Sequence, residues 1–154
     1  MYSYKKSTIL SMVATALFMV VVICLLCFGH ILFKMYYIDF RGFSSEAYLK
    51  ELASTLSACV YPGCVLGIVT LTLLFKMLLN IYKQKVFIKE NIIYLRVISW
   101  CCIIVAVLTG YCAISYIPLT VVAASAAFMG IIVRVVKNVM QTAIALREEN
   151  DLTI

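Results

Sequence analysis

Thr8-Ile-Leu-Ser-Met-Val-Ala-Thr-Ala-Leu-Phe-Met-Val-Val-Val-Ile-Cys-Leu-Leu-Cys-Phe-Gly-His-Ile-Leu-Phe33 runs without one charged side chain between Lys6 and Lys34. A bilayer's hydrocarbon core is about 30 Å thick and is crossed by about 20 apolar helical residues, so this stretch is long enough to span it. In lipid the backbone has no water to bond, and a helix satisfies its amides internally. A cleaved signal peptide has a shorter apolar region, about 7 to 15 residues, closed by small residues. Here Phe28-Gly-His-Ile-Leu-Phe33 follows instead, so residues 8–33 predict a retained first span. The whole chain agrees: it is 65% hydrophobic and 13% charged, whereas soluble domains carry about 45 to 50% apolar and about 25% charged residues. With two prolines and six glycines, no linker composition divides it, and residues 1–154 predict a single transmembrane domain.

Outward from the first span the chain turns polar and aromatic over residues 34–51, and Ser44 or Ser45 is placed to cap a helix opening at Glu46. Glu46 and Lys50 form a pair four residues apart in the favoured order. The second span is expected at about 54–79, with a kink near 57–62 because Pro62 leaves a helical carbonyl without its donor. A short basic connection carrying Lys83, Lys85 and Lys89 leads to Glu90-Asn91 and a third span at about 95–117. Pro118 forces a turn, and a fourth span follows at about 120–136. The fold class is therefore all-α: an integral membrane protein of four transmembrane helices packed as a four-helix bundle. The last helix extends into a cytoplasmic amphipathic helix and tail over residues 137–154.

Positive residues mark the cytoplasmic side of a membrane protein. Lys5, Lys6, Lys76, Lys83, Lys85, Lys89, Arg96, Arg134, Lys137 and Arg147 fall on one side, and Lys34, Arg41 and Lys50 on the other. Both termini are therefore expected in the cytoplasm. Tyr36, Tyr37, Tyr48 and Tyr116 mark the outer interface, and Tyr82, Phe87, Tyr94 and Trp100 the inner one. The net charge of +6 comes from basic residues spread singly along an apolar chain. They make no clustered face for direct nucleic-acid binding.

Little in the chain speaks for catalysis. There is no glycine-rich phosphate loop, no His-Glu-x-x-His and no nucleophile with a base at family spacing, so no enzyme and no catalytic residue is expected. Cys24-Leu-Leu-Cys27 and His30 share one side of a helix, but a metal site needs convergent ligands and partners that orient them, and none is visible. No metal or cofactor is expected. Cys24, Cys27, Cys59, Cys64, Cys101, Cys102 and Cys112 read as small hydrophobes. A disulfide joining Cys59 to Cys27 or to Cys112 on the outer side stays open. The four expected spans hold no Asp or Glu, so a proton-coupled carrier would lack its carboxylate. Lys76, Arg96 and Arg134 lie near inner ends, where long stems reach the headgroups.

Small residues four apart, Gly63 and Gly67, Ala106 and Gly110, Ala123 and Ala127, Ala126 and Gly130, let helix backbones approach closely. They suit packing within one bundle better than a seam between copies in a homo-oligomer. Beyond the membrane, Val133, Val136, Met140, Ala143 and Leu146 recur on one face of the fourth helix and need cover. The connection near Val86 and Phe87, the membrane surface or a partner protein could supply it. Asn150 is placed to stop the helix.

Val86-Phe87-x-x-Glu90-Asn91-x-x-x-Leu95-Arg96-x-x-x-Trp100, Phe128-Met-Gly130 and the ending Glu148-Glu-Asn-Asp-Leu-Thr-Ile154 resemble the bacterial four-span proteins grouped as domain of unknown function twenty-nine seventy-five. The resemblance implies a multi-pass protein of the bacterial cytoplasmic membrane with no established activity. It also implies a neighbouring helix-turn-helix transcription regulator as a cytoplasmic partner. The expected partner-binding residues are Lys83, Lys85, Lys89, Arg147, Glu148, Glu149, Asn150, Asp151, Leu152, Thr153 and Ile154. A small oligomeric transporter or channel is the alternative.

Overall fold

The computed structural model describes residues 2–35, 46–114 and 117–151, and the regular structure among them is entirely helical. Four helices follow one another: α1 (Tyr2–Met35), α2 (Glu46–Tyr82), α3 (Lys89–Cys112) and α4 (Leu119–Asp151). Each contains a stretch long and apolar enough to cross a membrane: Lys5–Gly29, Ser57–Tyr82, Lys89–Cys112 and Leu119–Asn150. At about 1.5 Å per residue, even α3 exceeds the roughly 30 Å hydrocarbon core. Ser44 and Ser45, the expected cap of α2, lie outside the described residues, as do Tyr36, Tyr37, Asp39, Arg41 and Tyr116.

Named contacts fix an up-down-up-down course. Met12 and Val13 of α1 line one cleft with Phe75, Leu79 and Tyr82 of α2, and Val22 faces Gly67 further along. Asn80 meets Asn91 at one end of the α2–α3 pair, and Cys59 meets Cys112 at the other. Between α3 and α4, Lys89 pairs with Glu148, Ser99 with Gly130, and Gly110 lies against Ala123. Each helix thus runs antiparallel to the one before it. Extensive packing joins α1 to α2, α2 to α3 and α3 to α4. The helices are therefore arranged in sequence, with α3 at the centre: 33% of its most apolar stretch is buried, against 6% in each of the others.

Among the described residues of α1, Thr8 and Thr15 are buried, and Met12, Met19, Val22, Leu26 and Gly29 are half-buried. They recur at alternating steps of four and three, the heptad spacing of helices crossing at about 20°. Leu10, Leu17, Phe18 and Val20 on the other faces are exposed, as lipid-facing residues are. Thr15 donates its hydroxyl to the Ser11 carbonyl at 2.8 Å, which satisfies the group within its own helix.

Two boundaries differ from the sequence reading. Helix α3 ends at Cys112 instead of running to about residue 117. In a continuous helix the Pro118 ring would meet the Ile114 carbonyl, so the chain leaves the helix earlier. The Ile114 amide donates back to Tyr111 at 3.3 Å, and the Thr120 amide to Ile117 at 2.9 Å across the turn. At its far end, α4 passes Asn150 and continues to Asp151. Pro62 sits inside an unbroken α2 assignment, and the nearby Ser57 hydroxyl donates to the Ser54 carbonyl at 2.9 Å.

Small residues bear on neighbours within the chain. A Cβ at Gly130 would stand 3.2 Å from Ile103 Cγ1, 3.3 Å from Cys102 Cβ and 3.4 Å from the Ser99 carbonyl oxygen. Any side chain there would push its neighbours back by a few tenths of an ångström, and across this close approach Ser99 donates its hydroxyl to the Gly130 carbonyl at 2.9 Å. One at Gly110 would reach Ala123 Cβ at 3.9 Å, and one at Gly67 Val22 Cγ1 at 3.8 Å. Gly63 is the exception, with open space around it.

Candidate functional site at the basic end

The α2–α3 connection and the last turns of α4 meet at one end of the molecule, where most of the basic residues lie. Helix α2 closes with its Lys85 amide donating to the Asn80 carbonyl at 2.8 Å and its Gln84 amide to Ile81 at 3.0 Å. This is the double bond of a Schellman stop, which places one residue in the left-handed region. Here that residue is Gln84, with φ 62°, where glycine is usual.

Asn91 holds the connection together. Its side chain is fully buried, with 0% exposure. Its amide nitrogen donates to the Lys85 carbonyl at 3.1 Å and to the Val86 carbonyl at 2.8 Å. Its oxygen accepts from the Asn80 amide at 2.9 Å. One side chain thereby satisfies two carbonyls of the connection and ties the last turn of α2 to the first turn of α3. Ile88 precedes α3 in an extended conformation without a side-chain cap, yet the helix starts cleanly at Lys89. The Asn91 amide donates to the Ile88 carbonyl at 3.1 Å, and its side chain does the remaining fixing from inside the helix.

The sequence-derived partner residues divide as follows. Lys83, Lys85 and Lys89 are exposed, as are Arg147, Glu148, Glu149 and Asn150. Lys89 Nζ lies 3.0 Å from Glu148 Oε1, so these two sets meet. The backbone of Asp151 closes α4, while Leu152, Thr153 and Ile154 lie outside the described residues.

Three of the five residues expected on the apolar stripe of α4, Val133, Met140 and Ala143, are half-buried, and two are not. Val136 and Leu146 are 48% and 55% exposed. The covered positions are Gly130, Val133, Lys137, Met140 and Ile144, with Ala143 beside them. They continue the heptad steps that pack α4 within the membrane. Lys137 is half-buried on this face, as a long aliphatic stem allows for a charged side chain. Val135, Val139 and Leu146 lie instead on an exposed face of the helix.

Beside this platform, Arg96, Ser99, Trp100, Arg134 and Lys137 line a cleft between α3 and α4. The Arg134 guanidinium carbon stands 5.3 Å from the centre of the Trp100 ring, a cation–π contact. The sequence places Arg96, Arg134 and Trp100 near one interface, but it does not show that they share a cleft.

None of the seven cysteines is in a disulfide, and Cys59 and Cys112, both buried, meet through their thiols at the opposite end of the molecule. Cys24 and Cys27 are exposed on α1. Among the described residues no three His, Cys, Asp or Glu side chains come together in a way that could hold a metal ion. The side chain of His30 lies outside the described residues.

Four membrane-compatible helices in antiparallel sequence define a multi-pass helical membrane protein. The family model for "Protein of unknown function (DUF2975)" matches residues 2–154, and the chain belongs to that family. No curated protein and no solved structure matches it.

Proposed function

We propose that this is a bacterial membrane interaction protein that presents a helical platform on the cytoplasmic side to a soluble partner. A helix-turn-helix transcription regulator fits the partner's role. The observation that carries the reading is the bracing of α4. Its last turns are held on α3 by burial of Ile144 and by the Lys89–Glu148 pair. Beyond about 20 membrane-crossing residues from Leu119, a dozen more continue as ordered helix. Covering its own packing stripe leaves Val139 and Leu146 exposed beside Arg147 and Glu149. A rigid mixed apolar and charged face costs little ordering entropy on binding. Lys83 and Lys85 add positive charge that steers an acidic surface toward it.

The test is photocrosslinking in cells from positions 146 and 152, with Lys83→Glu/Lys85→Glu as the comparison. The expected result is one soluble protein that binds DNA, captured from both positions and lost in the comparison. Capture of no soluble protein above background would sink the proposal.

A further inference from the structure

We propose that the cleft lined by Arg96, Trp100, Arg134 and Lys137 is a binding site for the phosphate group of an anionic membrane lipid. Arg96 and Trp100 are four residues apart on α3, and Arg134 and Lys137 three apart on α4, so each pair projects from one helix face. Antiparallel packing, fixed by the Ser99–Gly130 hydrogen bond, brings the two faces around a space of about 200 Å³. Three cations line it and no carboxylate does. The Lys89–Glu148 ion pair lies outside this cleft. Three like charges lining one cleft repel one another, and an anion between them relieves that repulsion.

The geometry favours phosphate. Arg134 lies over the Trp100 ring, its planar fork can bond two oxygens at once, and Lys137 contributes a point charge. Depth and continuity favour a lipid as the source. Arg96 lies seven residues into α3, about 10 Å from its start, at the level where headgroups meet hydrocarbon. From there Ile104, Val107 and Tyr111 continue the Arg96–Trp100 face along α3 at helical spacing, and all are exposed. A lipid with its phosphate in the cleft would lay an acyl chain on that apolar track. Basic pockets between spans at this level suit anionic headgroups.

Trp100 is the only tryptophan of the chain, so its fluorescence reports the cleft directly. The full chain is reconstituted in phosphatidylcholine vesicles containing a rising fraction of brominated phosphatidylglycerol or, separately, brominated phosphatidylcholine. Each nearby basic group enriches anionic lipid about fivefold, so half-maximal quenching by the anionic lipid is expected at a mole fraction at least about tenfold lower. Equal quenching by both lipids overturns the proposal without any variant. Arg96→Gln/Arg134→Gln/Lys137→Gln, which keeps Trp100, is expected to remove the preference, and Lys83→Gln/Lys85→Gln to preserve it. Loss in the second variant alone would mean general surface charge and also overturns the proposal. Inorganic phosphate is added against sodium chloride of equal ionic strength. Selective loss of the preference with phosphate would reassign the cleft to a soluble anion and overturn the lipid as its source.

Discussion

The Asn80 side-chain amide donates to the Asn91 side-chain oxygen at 2.9 Å, across the junction between α2 and α3. The contact matters because Asn91 is fully buried and spends its own two N–H groups on the Lys85 and Val86 carbonyls. Removing it orphans three partners at once. Asn91→Ala is expected to lower stability by about 2 kcal/mol or more, since a buried group left unsatisfied costs about 1 to 3 kcal/mol. Asn80→Ala leaves the two carbonyl bonds intact and should cost less. Unfolding in mixed micelles checks both, and an Asn91→Ala change below that of Asn80→Ala would contradict this account.

The α3–α4 approach should fail at Gly130 and tolerate change at Gly63. Added methyls at Gly130 meet Cys102 Cβ, which is fixed to its backbone and cannot swing away. Gly130→Val is expected to cost about 1 to 3 kcal/mol through forced separation of the helices. Gly63→Ala, in open space, should be near neutral. Ser99→Ala removes only the hydroxyl bond and should cost about 0.6 kcal/mol, typical for such bonds between spans. Thermal stability in one detergent orders the three variants.

Gln84 sits at φ 62° in a stop that glycine would enter without strain. Left-handed backbone costs a side-chain-bearing residue about 1 to 2 kcal/mol, partly offset by the greater freedom glycine loses on folding. Gln84→Gly is therefore expected to be neutral to slightly stabilising, and the β-branched Gln84→Val clearly destabilising. Melting temperatures that rank valine above glycine would show that the stop is not used as described.

Lys89 and Glu148 are both well exposed, with side-chain exposures of 76% and 58%. A double-mutant cycle on this pair should give a coupling of at most about 1 kcal/mol, shrinking as salt is added. The pair's consequence is positional. In Lys89→Glu the end of α4 should exchange its amide hydrogens faster, while the membrane-embedded part stays protected. Unchanged exchange from residues 144–150 would mean that Ile144 alone holds the helix down.

Cys59 and Cys112 meet with both thiols reduced. A dithiol oxidant such as diamide takes up their two hydrogens as the sulfur–sulfur bond forms. Oxidation should therefore join 59 to 112 within one chain, detected by peptide mapping, and Cys112→Ser should abolish the product. Joining to position 27 instead would require a different packing of α1 on α2.

The sequence by itself determined the class of protein, the number of long apolar helices and the turn at Pro118. Those features follow from bilayer thickness and the missing proline amide, which are local facts about a chain in lipid. It also placed close packing at Gly67, Gly110 and Gly130, because a missing Cβ is legible at any address. What it left undetermined was which face of each helix packs. Lipid tails are as apolar as leucine, so burial against a neighbour and exposure to lipid select the same side chains. Helix α1 is apolar all round, and its seam through Thr8, Met12 and Thr15 has no hydrophobic signature. On α4 the packed face keeps Val133 and Met140 as expected but takes Lys137 and Ile144 in place of Val136 and Leu146. Asn91, an ordinary polar residue at a helix start, became the centre of the α2–α3 junction only because the turn at Gln84 returned two carbonyls to it. Arg96 and Arg134, nearly forty residues apart in the chain, came to share a cleft only when α3 and α4 packed antiparallel.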